Sequence, residues 1–184
     1  MSRSIQPSRV LKPGFVLALA GAIAGGASGI AAAEPVDVEL ILAVDVSLSM
    51  SPGELAIQRD GYAAALTHEQ VIRAIQDGVH GKIAITYVEW AGSAVQHVVV
   101  PWTVVATLDD AVAIAEKLTV HPPNSARRTS ISGALLFAAD LFAESDYRGM
   151  KRVVDISGDG PNNQGSLVVE ASDALVAQGI TVNG

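Results

Sequence analysis

Apolar and polar positions alternate along this chain in blocks that change period. Val36 to Val44 reads VDVELILAV, which begins in alternation and ends almost wholly apolar, as a strand buried on both faces would. Polar, small residues follow (DVSLSMS), and then Ser51-Pro52-Gly53-Glu54 opens a helix. Ser51 suits the cap, Pro52 the first helical position, and Glu54 the return half of a capping box. Leu55, Tyr62, Ala65 and Leu66 give that helix its apolar face, and a shorter helix is expected over roughly His68 to Gln76. Lys82 to Trp90 (KIAITYVEW) and Val95 to Trp102 read as strands joined by the turn Ala91-Gly92-Ser93, a hairpin whose Pro101 fits an edge. Helices are expected over Leu108 to Leu118 and Ser130 to Glu144, with the polar loop His121 to Arg128 between them. Lys151 to Ser157 is a strand, Gly158 to Asn163 a tight loop, Gly165 to Gln178 a helix stopped by Gly179, and Ile180 to Val182 another strand.

Strands alternating with helices predict an α/β fold with a mostly parallel sheet, covered on both faces and carrying one antiparallel edge strand. Such sheets bind ligands at the carboxyl ends of their strands. Asp45 stands at the end of the most apolar strand, where a carboxylate is costly unless it is paired or bound to a metal. Ser47 and Ser49 follow at alternate positions. Asp159 ends a second apolar strand within Gly-Asp-Gly, and Thr129 precedes the Ala/Leu-rich helix. Two carboxylates and three hydroxyls form a set of hard oxygen donors, which suits Mg2+ or Mn2+ better than zinc. Neutral hydroxyl ligands leave positive charge on the cation, so it can accept an acidic oxygen from outside.

The first 33 residues change the picture of the rest. Arg3, Arg9 and Lys12 precede an apolar, Gly-rich run from Phe15 to about Ile30, and Ala31-Ala32-Ala33 offers a cleavage site. This predicts a secretory leader over 1–33, a periplasmic or secreted domain over 34–184, and no membrane insertion after cleavage. The leader holds three basic and no acidic residues, so the net charge of −7 becomes −10 without it. That balance argues against nucleic-acid partners. The chain has no cysteine, so an exported fold here stands without disulfides. A closing helix is expected after the short strand that ends near Gly184, so the sequence reads as a fragment or an incomplete stretch of a longer chain.

Asp45-x-Ser47-x-Ser49, Thr129 in TSISGAL and Asp159 in SGDG resemble the metal-ion-dependent adhesion site of von Willebrand factor type A domains. YVEWAG, VVVPWT, TSISGAL and DISGDGPNNQG resemble a bacterial secreted subfamily of such domains with no assigned activity. The resemblance implies a doubly wound, Rossmann-like fold whose last strand and helix are missing from this sequence, and a monomeric module that binds a protein partner through that partner's Asp or Glu. Asp45 and the two serines are then the first metal loop. Thr129 ligates directly when a partner is bound, and Asp159 acts directly or through water. The wider family often has Gly-Gly before the threonine; here Arg127-Arg128 stands in its place, either attracting acidic groups to the rim or forming a solvated loop. Trp90 and Trp102, placed at strand ends, suit the rim or the core, and Asn162 suits the rim or the turn alone.

Other chemistries fit less well. An aspartyl nucleophile needs a second carboxylate two residues on, where this chain has Ser47. His68, His80, His97 and His121 show no triad or ligand spacing, and Gly158-x-Gly160 lacks the lysine of a phosphate loop. A metal-dependent hydrolase and a structural domain with a non-binding site stay open as alternatives. Asp155 shares a strand face with Ser157 and reads as structural.

Overall fold

The computed structural model describes residues 32–120 and 124–184 besides Met1; the leader expected over 1–33 falls almost wholly outside the described residues, as does His121. The compact unit Ala32–Gly184 contains β1 (Glu34–Asp45), α1 (Pro52–Leu66), α2 (Glu69–Gln76), β2 (Ile83–Trp90), β3 (Gln96–Val105), α3 (Leu108–Val120), α4 (Ile131–Ala143), β4 (Tyr147–Ser157), α5 (Val168–Val176) and β5 (Ile180–Asn183). The sheet order is β3-β2-β1-β4-β5. Only the β2–β3 pair is antiparallel, and β3 lies at the edge, as the hairpin and Pro101 predicted. No helix among the described residues is long and apolar enough to cross a membrane.

Alternation along the central strands divides the core in two. Leu42 and Val44 of β1 and Ile83, Ile85 and Tyr87 of β2 pack against Leu66, Ile72, Ile75, Ala111, Ile114 and Leu118 of α1, α2 and α3. The opposite face gives Ile41, Ala43, Val88, Trp90 and Val154 to Ala134, Leu135, Ala138 and Phe142 of α4 and to Ala171 and Leu175 of α5. All eight residues of β2 are buried, so its sequence alternation reflects two covered faces rather than one wet face. A smaller cluster of Val46, Leu55 and Ala91, with Met50 and Ala126 against it, lies where the first candidate loop leaves the sheet.

The differences from the expected elements have local causes. β3 runs three residues past Trp102, because the ladder is irregular between Ile85 and Val88 and resumes beyond Pro101. Trp102 therefore lies within the strand, its indole N–H donating to Leu141 O (3.2 Å), and not at the strand end. β4 begins at Tyr147 rather than Lys151 because residues 147–149 pair with Glu34–Val36, a backbone ladder that YRGM does not advertise in hydrophobicity. α5 begins at Val168, not Gly165. Gly165 takes φ +91°, and a Cβ there would stand 2.6 Å from Ser132 Oγ and 2.7 Å from Ser130 Oγ, so the chain is still turning at that point. Gly179 stops α5 in the left-handed region (φ +74°), as expected.

The cap of α1 forms as read. Glu54 N donates to Ser51 Oγ (3.3 Å), and Ser51 N donates to Glu54 Oε2 (2.7 Å). This box fixes the helix directly after the candidate metal loop. Ser51→Ala is expected to cost about 0.5–1 kcal/mol, since one amide at the helix start loses its acceptor. Thermal unfolding checks it; an unchanged midpoint would show that the cap is solvated without loss.

Candidate metal centre

The site is built where β1, β2 and β4 end together. Parallel pairing sets Asp45 beside Trp90 of β2 and Val44 beside Ser157 of β4. Asp45 is completely buried. Its Oδ1 accepts from Ser47 N (2.7 Å), which folds the chain into a tight turn and brings the serines up next to it. Its Oδ2 is buried, with no hydrogen-bond partner among the described residues. Burial pushes the Asp45 carboxyl above its ordinary range; the backbone and side chain of Ser47 and the backbone N–H of Asp159 pull it down, and the charge of Asp159 adds to the rise.

From there a line of oxygens runs outward. Ser47 Oγ lies 2.9 Å from Ser49 Oγ, and Ser49 Oγ donates to Asp159 Oδ1 (2.9 Å). Asp159 is exposed, while Ser47 is buried. Gly158 lets β4 come this close. A Cβ there would lie 3.2 Å from Asp45 Oδ2 and 3.3 Å from the Trp90 ring.

Thr129 reaches the same edge through backbone pairing. Ala126 forms a parallel bridge with Ser47, in which Leu48 N donates to Ala126 O (2.9 Å) and Ala126 N to Val46 O (3.2 Å). Asn163 N donates to Thr129 O (2.9 Å), and Thr129 N donates to Asn163 Oδ1 (3.0 Å). Ser130 N donates to Ala91 O (2.7 Å), and Ser130 Oγ caps α4 through Gly133 N (3.1 Å). The segment before α4 is thus stitched to the first loop, to the β2–β3 turn and to the loop after β4. Thr129 is itself buried.

Asp45, Ser47, Ser49 and Asp159 are therefore linked at one sheet edge, Thr129 is brought to that edge by its backbone, and the Asp45 oxygen left without a bond is the observation that tests their fit to a cation. A carboxylate oxygen held in the interior with nothing to bond is expensive unless something positive joins it. Oxygen-only donors of low total charge fit a hard divalent ion.

Arg127 and Arg128 are both exposed. Arg128 has φ +74°, a conformation that non-glycine residues seldom take. Gly-Gly would relieve this; here the bonds of Ala126 and Thr129 on either side hold the turn. Trp90, in contrast, is fully buried in the core beneath Gly158 and presents nothing to a partner. Asn162 is engaged by α4 and by its own loop, accepting from Ser132 N (3.4 Å) and donating to Ser166 O (3.1 Å). Asp155 and Ser157 share the α1 face, where Tyr62 OH donates to Ser157 Oγ (3.1 Å). His68, one of the scattered histidines, caps α2 through Nδ1.

A buried ionic group next to the site escaped the sequence reading. Glu89, one residue before Trp90, accepts from Arg59 Nε (2.8 Å) of α1 through Oε1, and from Asn124 N (3.0 Å) and Nδ2 (2.7 Å) through Oε2. Arg59 also donates to Leu118 O (3.0 Å). The available signal was a charge in an apolar stripe: the buried face of α1 is Leu55, Arg59, Ala63 and Leu66, at helical spacing. Ala65, expected on that face, is exposed.

This sheet order, with its site at the carboxyl edge, is the von Willebrand factor type A fold. The proximal thread matrix protein 1 from the mussel byssus, solved with a zinc-occupied MIDAS motif, matches 81% of this chain and 37% of its own at 19% identity, TM-score 0.63. A von Willebrand factor type A protein from Catenulispora acidiphila matches 80% of this chain and 32% of its own at 16% identity, TM-score 0.57. An aerotolerance-related membrane protein from Bacteroides fragilis NCTC 9343 matches 79% and 65% at 22% identity, TM-score 0.52. The chain spans less than two thirds of the length of each. No curated protein sequence matches it. Residues 35–184 match the family described as protein of unknown function (DUF1194), and the chain belongs to that family.

Proposed function

We propose that this chain is an exported binding module that holds one Mg2+ or Mn2+ through Asp45, Ser47, Ser49, Thr129 and Asp159 and uses it to capture an acidic side chain of a protein partner. The observation that carries this reading is the buried, unpartnered Asp45 Oδ2 at the inner end of the Ser47–Ser49–Asp159 line of oxygens. When bound, the cation supplies a Lewis-acidic seat for a carboxylate oxygen. The chain's own part is to hold the inner carboxylate dry, to orient both serines through the Ser47 turn, and to leave Asp159 at the surface. The zinc-occupied MIDAS motif of the mussel protein supports a divalent cation at such a site. Donor hardness favours magnesium or manganese here. Exposed Arg127 and Arg128 add positive charge at the rim of an otherwise acidic chain, which favours a partner rich in Asp and Glu. Export rests on the basic and apolar pattern of residues 1–33.

Titration calorimetry with MgCl2 and MnCl2, followed by a pull-down from periplasmic extract in magnesium against chelator, tests the reading. Saturable heat and a protein retained only with the metal are expected. Absence of heat with either cation sinks the metal site, and equal retention in chelator sinks metal-dependent capture.

A further inference from the structure

The buried Glu89 is placed where a hydrophobic residue would serve the core more cheaply. Its side chain is wholly buried, and that of Arg59 nearly so. Ion pairs this deep gain little net stability over well-packed apolar residues, because both charges must leave water. What apolar residues cannot do is grip a backbone amide and a side-chain amide at one point, and Glu89 Oε2 does that to Asn124. Asn124 opens the segment that runs through Ala126, bridged to Ser47, to Thr129, bonded to Asn163. The other carboxylate oxygen holds Arg59 of α1, the helix that leaves the first metal loop, and Arg59 holds the last turn of α3, from which this segment departs.

We infer that Glu89, with Arg59 and Asn124, is a positioning device for the metal centre: it sets the Thr129 loop against the Ser47–Ser49 loop without touching the cation. This rests on the metal-binding reading above. Outer groups that orient metal ligands change affinity by about 10–100-fold when removed, and the same order is expected here.

Asn124→Asp tests it at an exposed position, in the full chain. The new carboxylate faces Glu89 and pushes the loop away. Its charge alone draws cations in, so positioning and electrostatics predict opposite signs. Calorimetry with MgCl2 is expected to show affinity about tenfold weaker than wild type. The melting point of the metal-free chain is expected to fall by only about 3 °C. The amides of Leu48, Ala126 and Thr129 should exchange faster in the variant. Arg59→Met with Glu89→Leu releases the loop independently and is expected to weaken Mg2+ in the same way, and it decides the matter should Asn124→Asp not fold. Unchanged or tighter Mg2+ binding in whichever variant folds, with those amides deprotected, overturns the positioning role. No heat from wild type overturns the metal reading itself, and the device with it.

Discussion

Asp45→Asn is expected to abolish Mg2+ binding and at the same time to raise the melting point of the metal-free chain. Asp45 has no exposed surface; one oxygen accepts from Ser47 N, and the other has no hydrogen-bond partner within ordinary geometry among the described residues. Without a cation that carboxylate is a liability: burial opposes its charge, and Asp159 adds repulsion. A buried polar group without a partner costs about 1–3 kcal/mol in mutational data. Asparagine keeps the bond from Ser47 N and the volume but removes the charge, so it is expected to recover about 1 kcal/mol, or about 3 °C for a domain of this size. With magnesium the order reverses. Cation at a hundredfold excess over its dissociation constant stabilises wild type by about 2.7 kcal/mol and leaves the variant unchanged. Loss of a direct carboxylate ligand should exceed the effect of losing an outer group, so affinity should drop by more than about a hundredfold. Differential scanning calorimetry with and without MgCl2 gives all four melting points. A metal-free variant less stable than wild type would mean that Asp45 serves the fold, and a variant still stabilised by magnesium would mean that the cation sits elsewhere.

The fold, and the meeting of the candidate residues at one end of the sheet, were legible because both follow from local pattern. Asp45 could be singled out as soon as VDVELILAV read as a doubly buried strand, since a carboxylate at such a terminus calls for an explanation. Ser51 and Glu54 announced the next helix by chemistry that needs only four residues. Pro101 marked an edge because it lacks an amide for a central ladder. Where the expectation missed, a distant partner had decided the matter. Tyr147 to Gly149 is strand only because Glu34 to Val36 lies alongside. Trp90 is core because α4 and Gly158 close over it, and no property of EWAG alone reveals that. Asn163, to which the sequence assigned no role, secures Thr129; adjacent asparagines in a turn differ only in which way the loop points them. Arg128 at φ +74° is likewise set by its surroundings, since Arg carries no left-handed preference of its own.

Glu89 is the sharpest case of a residue whose meaning depends on tertiary context, and its substitution carries the largest expected loss of stability. Glu89→Leu alone takes the carboxylate away from the buried Arg59 guanidinium, which keeps its bond to Leu118 O. Removing one partner of a buried pair typically costs about 3–5 kcal/mol, or about 9–15 °C of melting temperature at this size. Arg59→Met added to Glu89→Leu replaces the pair by apolar volume between Leu118, Tyr87 and the α1 stripe, and is expected to return stability to within about 1 kcal/mol of wild type. The four corners of this cycle separate the penalty of losing one member of the pair from the worth of the pair. A pair that matters for the fold itself would leave the double variant as unstable as the worse single one, which thermal unfolding would show at once. If the double variant is restored in stability yet still weak in Mg2+ affinity, the charged network is kept for the loop it holds rather than for the core it crosses. The reason is physical: Leu and Met can fill the space between α1 and β2, but only a carboxylate there can bond both amides of Asn124 and so fix where the chain sets out toward Thr129.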